Sequence, residues 1–150
     1  METSYLKAGQ IAAEALEFGK KLIKENATLL SVAKQVEEKI FQLGGRPAFP
    51  VQLSKNEIAA HFCPMDEVEI FENGDLVKLD VGVHINGFIA DTACSVVVGG
   101  GSNLNLVKAS NDALNDAIQK MTPGTTLGEI GAGIQEIINA YGFNPIKNLS

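Results

Sequence analysis

The sequence predicts an α+β fold in which helices flank an antiparallel sheet. Three observations carry the prediction. Apolar residues recur at helical spacing in four stretches. Two runs rich in Val and Ile meet at Asn86-Gly87, the strongest short hairpin signal. The second of those helices and its exit also recur about a hundred residues later, so the chain reads as a repeat.

The first 26 residues read as a helix, with Leu6, Ile11, Ala15, Leu22 and Ile23 among its apolar positions. A second helix starts after Thr28, a side chain suited to accept from the first-turn N–H groups, and stops at Gly44-Gly45. Residues 46–67 contain Pro47, Pro50 and Pro64 and read as irregular. Strands are expected at 76–85 and 88–98, ending in Gly99-Gly100-Gly101-Ser102. A third helix is expected over about 103–121. After Pro123-Gly124, a fourth opens with the capping box Thr126-Leu127-Gly128-Glu129 and closes at Gly142.

Laying Thr28–Pro47 over Thr126–Pro145 brings Val32 onto Ile130, Val36 onto Ile134, Ile40 onto Ile138 and Gly44 onto Gly142. With two extra residues in the first copy, Leu53-Ser54 falls on Leu149-Ser150. Two unrelated amphipathic helices ending in glycine would also align in part. Taken as a repeat, copy one spans about 1–100 and copy two starts at about 101–150. Copy one continues into a hairpin and copy two stops before one, so the sequence reads as truncated.

Composition bounds the class without naming the chemistry. The 150 residues are 45% hydrophobic and 20% charged, as in an ordinary soluble domain. A domain of this length buries roughly 68–70% of its unfolded surface, enough for a real core. The net charge of −6 argues against a general nucleic-acid binder, which would carry a basic patch or stripe, and no specific nucleic-acid partner is expected. No apolar run approaches the roughly 18 residues that span a membrane. Cys63 and Cys94 sit in no metal-site spacing and read as two buried, reduced thiols. A cytoplasmic, soluble protein is expected.

Two residues break the apolar strands, Asp80 in Leu76–Val83 and Asp91 in Phe88–Ala93. A two-residue turn at Asn86-Gly87 sets Ile85 opposite Phe88, hence Gly82 opposite Asp91 and Asp80 opposite Ala93. Both carboxylates then project from one face as diagonal neighbours, with backbone positions about 7–8 Å apart. Gly82 and Ala93 are small and leave room for ions between the acids. Paired metals in hydrolases sit about 3.5–4 Å apart, which suits this spacing. The competing reading is two solvated acids on the wet face of a hairpin. Leu76, Ile89 and Val97 on that face count against it. Two Asp alone do not complete a metal site, and His61 and His84 are the only histidines.

Several segments resemble the methionine aminopeptidases of the second, archaeal and eukaryotic class. They are Gly44-Gly45-Arg46-Pro47-Ala48-Phe49-Pro50-Val51, Asn56-Glu57-Ile58-Ala59-Ala60-His61-Phe62-Cys63-Pro64, the hairpin Lys78–Ala93, and Asn148-Leu149-Ser150. The likeness covers about the first half of that family's catalytic domain. It implies a pita-bread fold with an internal pseudo-twofold repeat, and two divalent ions (Co, Mn, Fe or Zn). Asp80 would chelate one ion and Asp91 bridge both, with one His and two Glu ligands from outside this sequence. His61 is similar to a histidine that contacts the substrate peptide and stabilises the reacting carbonyl; otherwise it is a structural histidine. Phe49 is similar to a wall of the methionine pocket; otherwise it is core packing. The resemblance implies removal of the N-terminal methionine from nascent polypeptides, with the ribosome as an open candidate partner. The fragment alone is expected to be inactive. Three alternatives stay open: a non-catalytic pita-bread module that binds RNA or protein, a prolidase-like X-Pro peptidase, and a half-protein that pairs with a second chain.

Overall fold

A computed structural model describes residues 2–146. It has two compact units, Met1–Gly101 and Ser102–Ser150. The expected match of Leu149-Ser150 to Leu53-Ser54, and the segment Asn148-Leu149-Ser150, lie outside the described residues.

In the first unit, helix α1 (Glu2–Leu22) and helix α2 (Leu29–Gln42) cover one face of a four-stranded antiparallel sheet. Its strands are β1 (Arg46–Pro47), β2 (Gln52–Lys55), β3 (Leu76–Ile85) and β4 (Phe88–Val97). Helix α1 ends earlier than the apolar pattern suggested. Asn26 turns left-handed at φ +67, and residues 26 and 27 exchange backbone hydrogen bonds with Phe71 instead of extending the helix. Thr28 caps α2 as expected, its side chain accepting from the Ser31 N–H at 3.2 Å.

Strand β3 organises the sheet. Strand β4 pairs along its whole length, with Ile85 opposite Phe88, Gly82 opposite Asp91 and Asp80 opposite Ala93. The turn residues Asn86 and Gly87 both have positive φ, +52 and +84, the geometry a two-residue primed turn requires. Along the other edge of β3 lie two short strands, β1 against Val83 and His84, and β2 against residues 77–80. The stretch expected to be irregular therefore contains sheet. Its prolines hid this, because a proline is tolerated on an edge strand where its missing N–H is not needed.

Alternation divides the sheet into a dry face and a site face. Val77, Leu79, Val81 and Val83 are fully buried on the first. They join Ile11, Ala15, Val36 and Ile40 in one core. Each buried side chain of this size contributes about 1.5–3 kcal/mol of hydrophobic stabilisation. Helix α1 approaches closely because Gly19 has no side chain; a Cβ there would lie 2.6 Å from Leu79 Cδ2 and 2.8 Å from Val36 Cγ2. Both cysteines are free and half-buried rather than buried. Burial pushes the Cys94 thiol up to about 11.

The second unit contains α3 (Leu104–Lys120) and α4 (Leu127–Ala140), packed through Ala109, Ala113, Ala117 and Gly133. Tyr141 donates to Asp112 at 2.5 Å, and Lys108 approaches the same carboxylate at 2.7 Å, tying the exit of α4 to α3. The helix exits reproduce the repeat bond by bond. Gly44 and Gly45 donate to Phe41 and Ile40; Gly142 and Phe143 donate to Asn139 and Ile138. Thr126 and Glu129 form the expected reciprocal capping box.

Replacing Gly19 with Ala is expected to destabilise the chain by about 1–3 kcal/mol, the usual cost of overpacking a filled core. Chemical denaturation measures this, and an unchanged midpoint would show that α1 can move away freely. Cys94 is expected to alkylate slowly at pH 8, where a thiol with a pKa of about 11 is roughly one part in a thousand thiolate. Rapid modification of Cys94 in the folded chain would contradict the raised thiol pKa that its partial burial imposes.

Candidate functional site

The site face of β3 and β4 brings Asp80 and Asp91 together as the hairpin register requires. Asp80 is half-buried and Asp91 exposed. One Asp80 oxygen, Oδ1, is buried without a hydrogen-bond partner. Burial and the adjoining Asp91 carboxyl both push the Asp80 carboxyl above its ordinary range, while His61 pulls it down. A cation between the two acids would relieve this repulsion and engage the unused lone pairs of Oδ1, so the donor set fits a hard or borderline divalent ion. Among the described residues, no three His, Cys, Asp or Glu side chains gather closely enough to hold a metal on their own.

Phe49 occupies a place that the sequence left open. Its ring lies directly over Gly82, where any Cβ would overlap it. The space beside the acids at Gly82 was expected to remain free; the aromatic ring fills it. Gly82 is thus bare so that Phe49 can sit against the sheet, making Phe49 one wall of the acid pair's surroundings. His84 shares the site face but turns to the hairpin, its Nδ1 accepting from the Gly87 N–H at 3.3 Å.

His61 lies in the loop after β2, near enough for its charge to act on Asp80. It is exposed and left-handed, with φ +66, an uncommon state for a residue with a side chain. The loop is pinned at both ends. After His61, Phe62 donates to the buried Ser54 hydroxyl at 3.3 Å and accepts from the Leu53 N–H at 2.9 Å. Before it, Asn56 donates to Asp75 at 2.8 Å and accepts from the Leu76 N–H at 3.0 Å. Burial pushes the Asp75 carboxyl up, but its bonds from the Glu72 N–H, Asn56 and Lys55 outweigh this and hold it low. Ser54 and Asn56 anchor the loop that carries His61, and sequence reading missed them because these bonds appear only once β2 pairs with β3.

Gln52 is the other residue missed. It lies directly opposite Asp80 across the β2–β3 pair, so its side chain shares the site face.

The charge on Asp80 has a measurable consequence. Because its folded pKa is raised, the folded chain holds more protons than the unfolded one between the ordinary value of 3.8 and the higher folded value. Stability then falls as pH rises through that window. Asp80→Asn removes the penalty and is expected to raise the melting temperature at pH 7 without added metal, with the gain vanishing on acidification below the ordinary carboxylate range. A variant less stable than the parent at pH 7 would show that Asp80 is a structural partner instead.

The pattern of metallopeptidase family M24 matches residues 3–149. The chain is 49% identical over 147 residues to the methionine aminopeptidase of Methanocaldococcus jannaschii, a match covering 97% of this chain and 49% of that protein. The crystal structure of methionine aminopeptidase from Thermotoga maritima superposes with a TM-score of 0.91 at 32% identity, covering 95% of this chain and 61% of that one. A prolidase from Pyrococcus furiosus superposes at 0.78 and 28% identity, covering 91% and 41%. The chain spans about half the length of the curated relatives it matches. The fold is the pita-bread fold of these enzymes, and the chain belongs to metallopeptidase family M24, where it is similar to the archaeal methionine aminopeptidases.

Proposed function

We propose that this chain supplies half of a two-metal aminopeptidase site that removes the N-terminal methionine from nascent polypeptides. The observation that carries the reading is the Asp80–Asp91 pair, held on one sheet face with an unpartnered Asp80 oxygen and with the Phe49 ring lying on the neighbouring Gly82. Similarity to methionine aminopeptidases supports the substrate class.

In this reading Asp80 and Asp91 hold two divalent ions, drawn from Co, Mn, Fe or Zn. Such ions, when bound, polarise the scissile carbonyl and lower the pKa of an attacking water. The remaining work falls to side chains. Phe49 walls the pocket for the methionine side chain and excludes water from one side of the acids. His61, fixed by the Ser54 and Asn56 anchors, offers an imidazole N–H to the carbonyl oxygen of the substrate as charge develops there. The substrate class implies a cytoplasmic protein that meets its peptides at or near the ribosome. The described helices agree to this extent: none is long and apolar enough to cross a membrane.

Two carboxylates are too few for a tight, competent centre, so activity belongs to a protein of the relatives' length. This chain alone is expected to bind Mn2+ weakly and to release no methionine from a Met-Ala-Ser peptide. A protein of full family length carrying this sequence is expected to cleave Met-Ala-Ser and to spare Ala-Pro peptides. In it, Asp80→Asn or Asp91→Asn is expected to lower kcat/KM by a factor of 100 or more, on the order of what removal of a directly bound transition-state group costs. Titration calorimetry and peptide hydrolysis measure these outcomes. Robust turnover by this chain alone, or preference for Ala-Pro, would overturn the reading.

A further inference from the structure

Three side-chain oxygens among the described residues are buried without a hydrogen-bond partner, and two of them belong to residues directly opposite each other, Gln52 Oε1 and Asp80 Oδ1. An antiparallel pair sets such side chains about 4.5–5.5 Å apart at Cβ, on the same face. Both atoms are acceptors, so neither satisfies the other. A buried acceptor without a donor is costly, and native structures rarely keep one without a reason. Two together call for a positive group between them.

We propose that Gln52 is a further oxygen donor of the site, its Oε1 and Asp80 Oδ1 together seating a cation, either a divalent ion or the N-terminal ammonium of a peptide. The proposal rests on the reading of the Asp80–Asp91 face as the functional site. Amide carbonyl oxygens are ordinary ligands of hard cations, and they equally accept from an ammonium. Being neutral, Gln52 adds a donor without adding a third negative charge to a pair that already repels itself.

The test is a pair of titrations of this chain followed by nuclear magnetic resonance, one with ZnCl2 and one with methioninamide as the ammonium probe. Zn2+, which is diamagnetic, is expected to shift the Gln52 side-chain amide together with the backbone signals of residues 80 and 91, or methioninamide is expected to shift the same amide. The probe that responds identifies which cation takes the seat. Gln52→Leu, close to the parent in volume, is expected to weaken that binding about fivefold, the worth of one polar contact. Gln52→Glu, which keeps the oxygens and adds charge, is expected to strengthen it. If residues 80 and 91 respond to Zn2+ while Gln52 does not and Gln52→Leu binds equally well, the Gln52 proposal fails and the metal reading stands. If only methioninamide moves Gln52, the seat stands and the metal reading fails for this chain. A Gln52 amide that already donates to Asp80 and answers neither probe overturns the seat.

Discussion

Two like charges are held close together on the outer face of this sheet, and the rest of the first unit is arranged around holding them there. Asp80 and Asp91 have no freedom to separate, since the ten-residue ladder between β3 and β4 fixes their register. The ladder is anchored on its other face by Val77, Leu79, Val81 and Val83, all fully buried against α1 and α2. Slipping the register by one residue would drive these valines and this leucine into water and the aspartates into the core. The hydrophobic core therefore supplies the free energy that keeps the acids in an unfavourable approach. Such a site is preorganised, so a cation arriving there does not have to gather its ligands.

The same logic explains the surroundings of the pair. Gly82 lies between the two acids in the pairing pattern, and its missing side chain admits the Phe49 ring. His61 stands in a left-handed conformation that few side chains accept, and backbone bonds to Ser54 and Leu53 hold the next residue in place. Strain at this position is offset by bonds made elsewhere in the loop, a pattern found at functional sites more often than in inert loops.

Much of this was legible in the sequence because it depends on short-range rules. Asn86-Gly87 dictates a two-residue turn, a turn dictates register, and register places both aspartates on one face. Thr28, Thr126, Gly44 and Gly142 announce helix ends through chemistry local to a few residues. The illegible part depends on pairing between distant segments. Strands β1 and β2 contain two and four residues and lie beside prolines, so no periodicity reveals them. Without β2, nothing connects Gln52 to Asp80 or Ser54 to His61. The Gly82 position shows a subtler limit. A glycine opposite an aspartate reads as empty space, yet the ring that fills it comes from a segment thirty-three residues earlier, as the numbers 49 and 82 imply. The repeat sits between these cases: its helix ends match bond for bond, whereas Leu29 is fully buried and its counterpart Leu127 is 87% exposed. Caps are set locally; burial is set by what packs against the helix.

The central claim is that one hairpin aims two carboxylates at a shared cation. Anomalous scattering from crystals of this chain grown in millimolar MnCl2 tests it most directly. A manganese peak is expected within coordination distance of both the Asp80 and Asp91 carboxylates, with the Phe49 ring still lying on Gly82. Ordered carboxylates that turn away from each other, with manganese absent between them, would contradict it.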